Sequence, residues 1–136
     1  MRRLLVLMLL LSMTACQTGP ERASAPPPLP EKVTAMPYAT LLVRARQLAT
    51  AATDASYVDD WIRLDEAARG LEQTAAYLAK ADDVPAKHRD NLAVASADLR
   101  KLAQELLAAA TAKDVKKTTE VLTRVNTKVR EMRLAD

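Results

Sequence analysis

Few residues of this chain have side chains suited to chemistry. Its 136 residues include one cysteine, one histidine and five methionines. Cys16 follows the first apolar run, His88 lies in the second half of the chain, and Met36 and Met132 lie far apart in sequence. A cysteine thiolate is a nucleophile, whereas imidazole and thioether groups are ligands for soft metals such as Cu(I). What these residues can do depends on the elements that position them.

Residues 1–15 have the layout of a secretory signal. Arg2 and Arg3 precede an apolar run over residues 4–11, and small residues follow up to Ala15. The run is too short to cross a bilayer, which takes about 20 residues in a helix. Cleavage before Cys16 leaves a nearly neutral chain long enough for one small domain. This charge balance and the predicted export argue against a nucleic-acid partner.

The end of the signal resembles the lipobox of bacterial lipoprotein precursors, in which a small residue precedes an obligatory cysteine. Here Ala15 precedes Cys16, and Met13 stands where leucine is usual. The resemblance implies that Cys16 becomes the N-terminus and carries acyl chains such as palmitate, which anchor the protein in a membrane. Gln17 is not the aspartate that often retains lipoproteins at the inner membrane. We therefore expect attachment to the outer membrane of the cell envelope, facing the periplasm.

Residues 16–36 are predicted to be a disordered tether behind the lipidated cysteine. The segment is rich in proline, which lacks a backbone donor and disfavours helix and sheet. Fully extended, it would reach roughly 60 Å from the membrane surface. The alternative interpretation is that a partner docks on residues 25–30.

Residues 37–136 are predicted to form an all-α domain. Apolar residues recur every three or four positions in four runs, which is typical of helices packed side by side. We place the helices near 37–53, 57–81, 84–111 and 114–134. The predicted caps are Pro37, a capping box from Ser56 to Asp59, Asp83 with Pro85, and Asp114. Short connections favour antiparallel neighbours, so we expect an up-down-up-down four-helix bundle.

This topology predicts that residues distant in sequence meet at one end of the bundle. The expected group is Met36, Tyr38, Lys80, His88, Arg89, Arg130, Met132 and Arg133. In one interpretation Met132 belongs to the core and His88 lies partly exposed at the mouth of the bundle. In the other, His88 and Met36 or Met132 bind haem b or a soft metal such as copper. In the first interpretation the protein has no cofactor.

The helical part also resembles the periplasmic four-helix cytochromes, cytochrome c-prime and its small b-type relative. In cytochrome c-prime the last helix carries Cys-x-x-Cys-His, followed by an arginine that Arg133 matches. Val125, Lys128 and Val129 stand where the cysteines and the histidine would be, so the haem motif is absent. The resemblance implies a cytochrome-like scaffold without covalent haem, and an electron carrier with non-covalent haem or copper as the alternative function.

No pair of residues in the sequence indicates acid–base or nucleophilic catalysis, so we expect no enzyme. Residues 57–83 have an excess of acids and residues 113–133 an excess of bases. In the predicted topology these helices lie diagonally opposite, which gives the domain an acidic face and a basic face. Such faces favour a charged partner, anionic lipid or a second copy of the chain. The predicted function is a membrane-anchored, non-catalytic binding or structural module.

Overall fold

The computed structural model describes residues 24–32 and 34–133. Within them the chain forms five α-helices and no strand. The helices are α1 (Tyr38–Tyr57), α2 (Trp61–Leu78), α3 (Ala86–Arg89), α4 (Leu92–Thr111) and α5 (Val115–Glu131). The predicted all-α class is confirmed. The predicted signal peptide, Cys16 and the last three residues lie outside the described residues.

The third predicted helix, 84–111, is wrong as a single element. The structure divides it into the short α3 and the longer α4, with Asp90 and Asn91 between them. Asp and Asn side chains compete for backbone hydrogen bonds, which lowers their preference for helix interiors. The apolar spacing of the region continues across the break, so periodicity alone did not reveal it.

The helix starts agree with the prediction in part. Asp114 caps α5 by accepting a hydrogen bond from the backbone N–H of Lys117 at 2.9 Å. The capping box predicted from Ser56 to Asp59 is wrong, because Ser56 still belongs to α1. Asp60 caps α2 instead, and its carboxylate accepts from the Arg63 N–H at 3.1 Å. Asp59 has a φ of 53°, so the chain turns through a left-handed residue there.

Each long helix packs against two others: α1 against α2 and α5, and α4 against α2 and α5. The shared core is built mainly from leucine and alanine, with Tyr38 and Tyr77 as its largest buried members. Gly70 allows a close approach of α1 and α2, since a Cβ built there would lie 2.7 Å from Cδ2 of Leu48.

Residues 24–32, hereafter the proline segment, lie against α1 and α2. They form neither helix nor strand, yet Ala25 and Leu29 pack on the core of the domain. The chain then leads through Met36 into α1. The Met36 carbonyl accepts a hydrogen bond from the Asp82 N–H at 2.9 Å. The sequence predicted this stretch as part of a free tether. In the structure it covers one side of the helices and lines a cleft there.

No helix among the described residues is long and apolar enough to cross a membrane.

Candidate functional site

Several of the predicted site residues meet where α1 begins and α5 ends. The Tyr38 hydroxyl donates to the Met132 carbonyl at 2.6 Å, and the rings of Tyr38 and His88 stack with centroids 5.8 Å apart. His88 lies just inside α3, and its Nε2 is 2.6 Å from the carbonyl oxygen of Arg133. Residues separated by more than 90 positions in sequence are therefore joined at this end.

The hydrogen bond of His88 bears on the predicted haem or copper site. Because a carbonyl oxygen only accepts, the His88 Nε2 must carry a proton in this arrangement. A metal at Nε2 would have to displace both that proton and Arg133. Met132 is 3% exposed, and Met36 is partly buried against the core. Among the described residues no group of three or more His, Cys, Asp or Glu side chains is placed to hold a metal ion.

Burial at this end changes the acidity of Tyr38. Its side chain is fully buried, and the loss of solvent raises the pKa of the phenol above its ordinary value. A phenolate there would lose hydration and would also repel the Met132 carbonyl that the hydroxyl now contacts. The tyrosine therefore holds the two chain segments together as a neutral donor.

A second group of polar contacts fixes the proline segment to α2. The backbone N–H of Leu29 donates to Oε1 of Gln73 at 2.8 Å, and Nε2 of Gln73 donates to the Leu29 carbonyl at 2.7 Å. One turn further, the Tyr77 hydroxyl lies 2.6 Å from the carbonyl of Pro30 and 3.2 Å from that of Lys32. The side chains of α2 thus supply hydrogen bonds to a backbone that belongs to no helix or sheet.

The proline segment covers a cleft of about 770 Å³, hereafter the Arg44 cleft. Pro26, Pro27 and Pro28 line it together with residues of α1, α2 and α4. Arg44 is only 8% exposed, and its Nε donates to the Thr74 hydroxyl at 3.2 Å. Its Nη2 is buried and meets no acceptor in the described part of the chain. Burial lowers the pKa of this guanidinium, which means that its charge is poorly solvated.

The predicted charged faces are partly neutralised within the molecule. Acids of α4 pair with bases of α5: Asp98 with Lys128 at 3.2 Å and Glu105 with Arg124 at 2.7 Å. On the other side of α4, Arg100 lies 3.5 Å from Glu72 of α2. These pairs reduce the charge that α2 and α5 present to a partner.

Sequence reasoning missed Gln73, Tyr77 and Arg44 as candidate residues. Gln73 and Tyr77 bind backbone carbonyls and amides, whose positions no side-chain pattern encodes. Arg44 did leave a signal, since it follows Leu41 by three positions and precedes Leu48 by four. A charged residue at core spacing indicates a buried charge that needs a partner.

Comparison of the chain with protein families, with curated proteins and with solved structures finds no match.

Proposed function

We propose that this chain is an acylated lipoprotein whose helical domain acts as a non-catalytic binding or structural module beside a membrane. Support comes from the signal-like residues 1–15, the small residue before Cys16 and the resemblance to a lipobox. Gln17 favours the outer membrane, with the domain in the periplasm.

The proposed fold of the module is an antiparallel up-down-up-down four-helix bundle. Three sets of contacts support it. Tyr38 at the start of α1 meets Met132 after the end of α5. Arg44 early in α1 meets Thr74 late in α2. Asp98 of α4 pairs with Lys128 of α5, and Glu105 of α4 pairs with Arg124 of α5. The acids and their partners occur in opposite order along the two helices, as expected for an antiparallel pair.

The observation that carries the functional proposal is the packing of the proline segment. Because that segment is bound to α2, the spacer between Cys16 and the domain ends at Ser24. A chain of that length spans at most about 29 Å, even when fully extended. This is about half of the roughly 60 Å expected for a free tether. The domain is therefore held close to the lipid surface rather than projected far from it.

The anchor is tested by labelling cells with radioactive palmitate and separating their membranes. The wild-type chain should incorporate label and sediment with the membrane, because acyl chains on Cys16 anchor it. Cys16→Ser should lose the label and leave the membrane fraction. Thr18→Ala, two positions away, should behave as the wild type. Label that persists in Cys16→Ser would refute the proposal.

A further inference from the structure

The Arg44 cleft has the size and lining of a site for a small molecule. Its volume of about 770 Å³ lies within the range of about 300–1,000 Å³ typical of ligand pockets. The proline segment contributes apolar walls, and the small residues Gly70 and Ala76 of α2 also line the cleft. Such apolar walls accept an apolar body, while the polar and charged residues of the lining can orient the ligand.

Arg44 is the arginine of the lining that has no carboxylate partner among the described residues. Three arginines line the cleft, and two of them have carboxylates: Arg69 contacts Asp65 at 2.7 Å, and Arg100 lies 3.5 Å from Glu72. None of the ion pairs in the described part of the chain includes Arg44. Its Nη2 is a buried donor without an acceptor.

A buried and unpaired guanidinium is unfavourable unless an anion compensates it. Thr74 does not supply this compensation, because its neutral hydroxyl already donates to the Gly70 carbonyl at 2.7 Å. The Thr74 contact does fix the direction of the Arg44 side chain. Arg44 is itself one of the residues that line the cleft, so an acceptor that enters there can approach its guanidinium.

The charge of the lining limits the kind of anion. Glu66 and Glu72 line the same cleft and would repel a doubly charged group such as phosphate more strongly than a singly charged carboxylate. A single carboxylate matches the one unpaired guanidinium, which can donate two parallel hydrogen bonds to it. The apolar walls favour a hydrocarbon or aromatic body behind that carboxylate.

We propose that the Arg44 cleft binds a small monocarboxylate with an apolar body, whose carboxylate accepts hydrogen bonds from Arg44. The proline segment forms part of the wall of this site. Ligand binding at this site does not depend on acylation of Cys16. It is therefore tested separately from the proposed membrane anchor.

The test is calorimetric titration of the purified full chain, in non-ionic detergent, with sodium phenylacetate as the probe. Wild-type protein should bind one equivalent saturably. Arg44→Met keeps much of the side-chain volume and removes the charge, so affinity should fall by about tenfold or more, as expected for a lost charged hydrogen bond. Arg130→Gln, an exposed arginine on α5 outside the cleft, should bind as the wild type does. Glu66→Gln should bind more tightly, because a repelling charge is removed.

A second measurement needs no variant. In the nuclear magnetic resonance spectrum of the wild-type chain, phenylacetate should shift the Arg44 side-chain signal and the amide signals of Gly70 and Ala76. A wild-type chain with no saturable heat and no such shifts at millimolar phenylacetate would overturn the proposal. So would equal binding by a folded Arg44→Met variant. Sodium phosphate that binds at Arg44 in preference to phenylacetate would show that the inferred class of anion is wrong.

Discussion

Two helix pairs of this molecule are held together by different chemistry. Where α1 meets α2, the proline segment lies across the helices: Gln73 and Tyr77 bind its backbone through partly buried hydrogen bonds, and Arg44 is buried beneath it. Where α4 meets α5, the polar contacts are surface ion pairs such as Asp98 with Lys128. The second group is exposed to solvent, whereas the first is partly or fully buried.

The difference shows where polar groups contribute specificity and where they contribute little. A buried donor or acceptor is costly when unmatched, so each contact under the proline segment constrains the structure. An exposed ion pair competes with water and salt and contributes about 0–1 kcal/mol. We therefore expect substitutions on the α1–α2 side to have larger effects than those on the α4–α5 side.

Replacement of Tyr77 should have the largest effect. The side chain is 1% exposed and packs in the core while its hydroxyl contacts the proline segment. Tyr77→Ala should lower the free energy of unfolding by about 3–5 kcal/mol, as is usual for large aromatic residues in cores. Tyr77→Phe keeps the ring and should cost about 1 kcal/mol. Urea denaturation measures the free energy of unfolding of both variants. If Tyr77→Phe lost as much stability as Tyr77→Ala, the hydroxyl rather than the packing of the ring would account for the effect.

Gln73→Ala should cost less stability but should release the proline segment. It removes both hydrogen bonds to Leu29, with an expected loss of about 1–2 kcal/mol. Trypsin should then cleave faster after Lys32, which lies at the end of this segment. Gln104→Ala on α4 is the matched control, because that amide only contacts Glu72 at the surface. Cleavage at an unchanged rate in Gln73→Ala would mean that the amide does not hold the segment.

Tyr38 predicts a dependence of stability on alkaline pH. Burial raises its pKa in the folded chain, so the folded state keeps the proton longer than the unfolded state does. Its contribution is fully present below the ordinary tyrosine pKa of about 10 and is lost as pH rises through the raised value. Tyr38→Phe should cost about 1 kcal/mol at neutral pH through loss of the bond to Met132. Unfolding curves between neutral and strongly alkaline pH should then fall less steeply in this variant than in the wild type.

The smallest effect is expected on the α4–α5 side. Asp98 and Glu131 both contact Lys128 and raise the pKa of its ammonium group. Asp98→Asn should nevertheless lower stability by less than about 1 kcal/mol, because the pair is exposed. The difference from the wild type should shrink in high salt. A loss as large as that of Gln73→Ala would remove the contrast between the two helix pairs.

The sequence predicted the helices far better than it predicted the packing of the proline segment against them. Leu41, Leu48 and Leu71 recur at helical spacing, and all three are buried in the core. Tyr38 and His88 were expected at one end of the domain, and the structure brings their rings together there. Such features follow from periodicity and short connections, which are local properties of the chain.

The proline segment could not be placed in the same way. Prolines correctly indicated the absence of helix and sheet in these residues. The same composition, however, is compatible both with a free tether and with a segment that packs on the helices. The deciding groups are Gln73 and Tyr77, which lie some 45 residues further along the chain. Their partners are backbone atoms, which every residue possesses and which therefore leave no pattern in the sequence.

The packing of the proline segment is the central claim, because both the short membrane spacer and one wall of the Arg44 cleft depend on it. Amide hydrogen exchange at Leu29 tests it most directly, since this N–H donates to Gln73 at 2.8 Å. The amide should be protected in the wild-type chain and should lose protection in Gln73→Ala. Exchange of Leu29 at the rate of an unstructured peptide in the wild type would contradict the account.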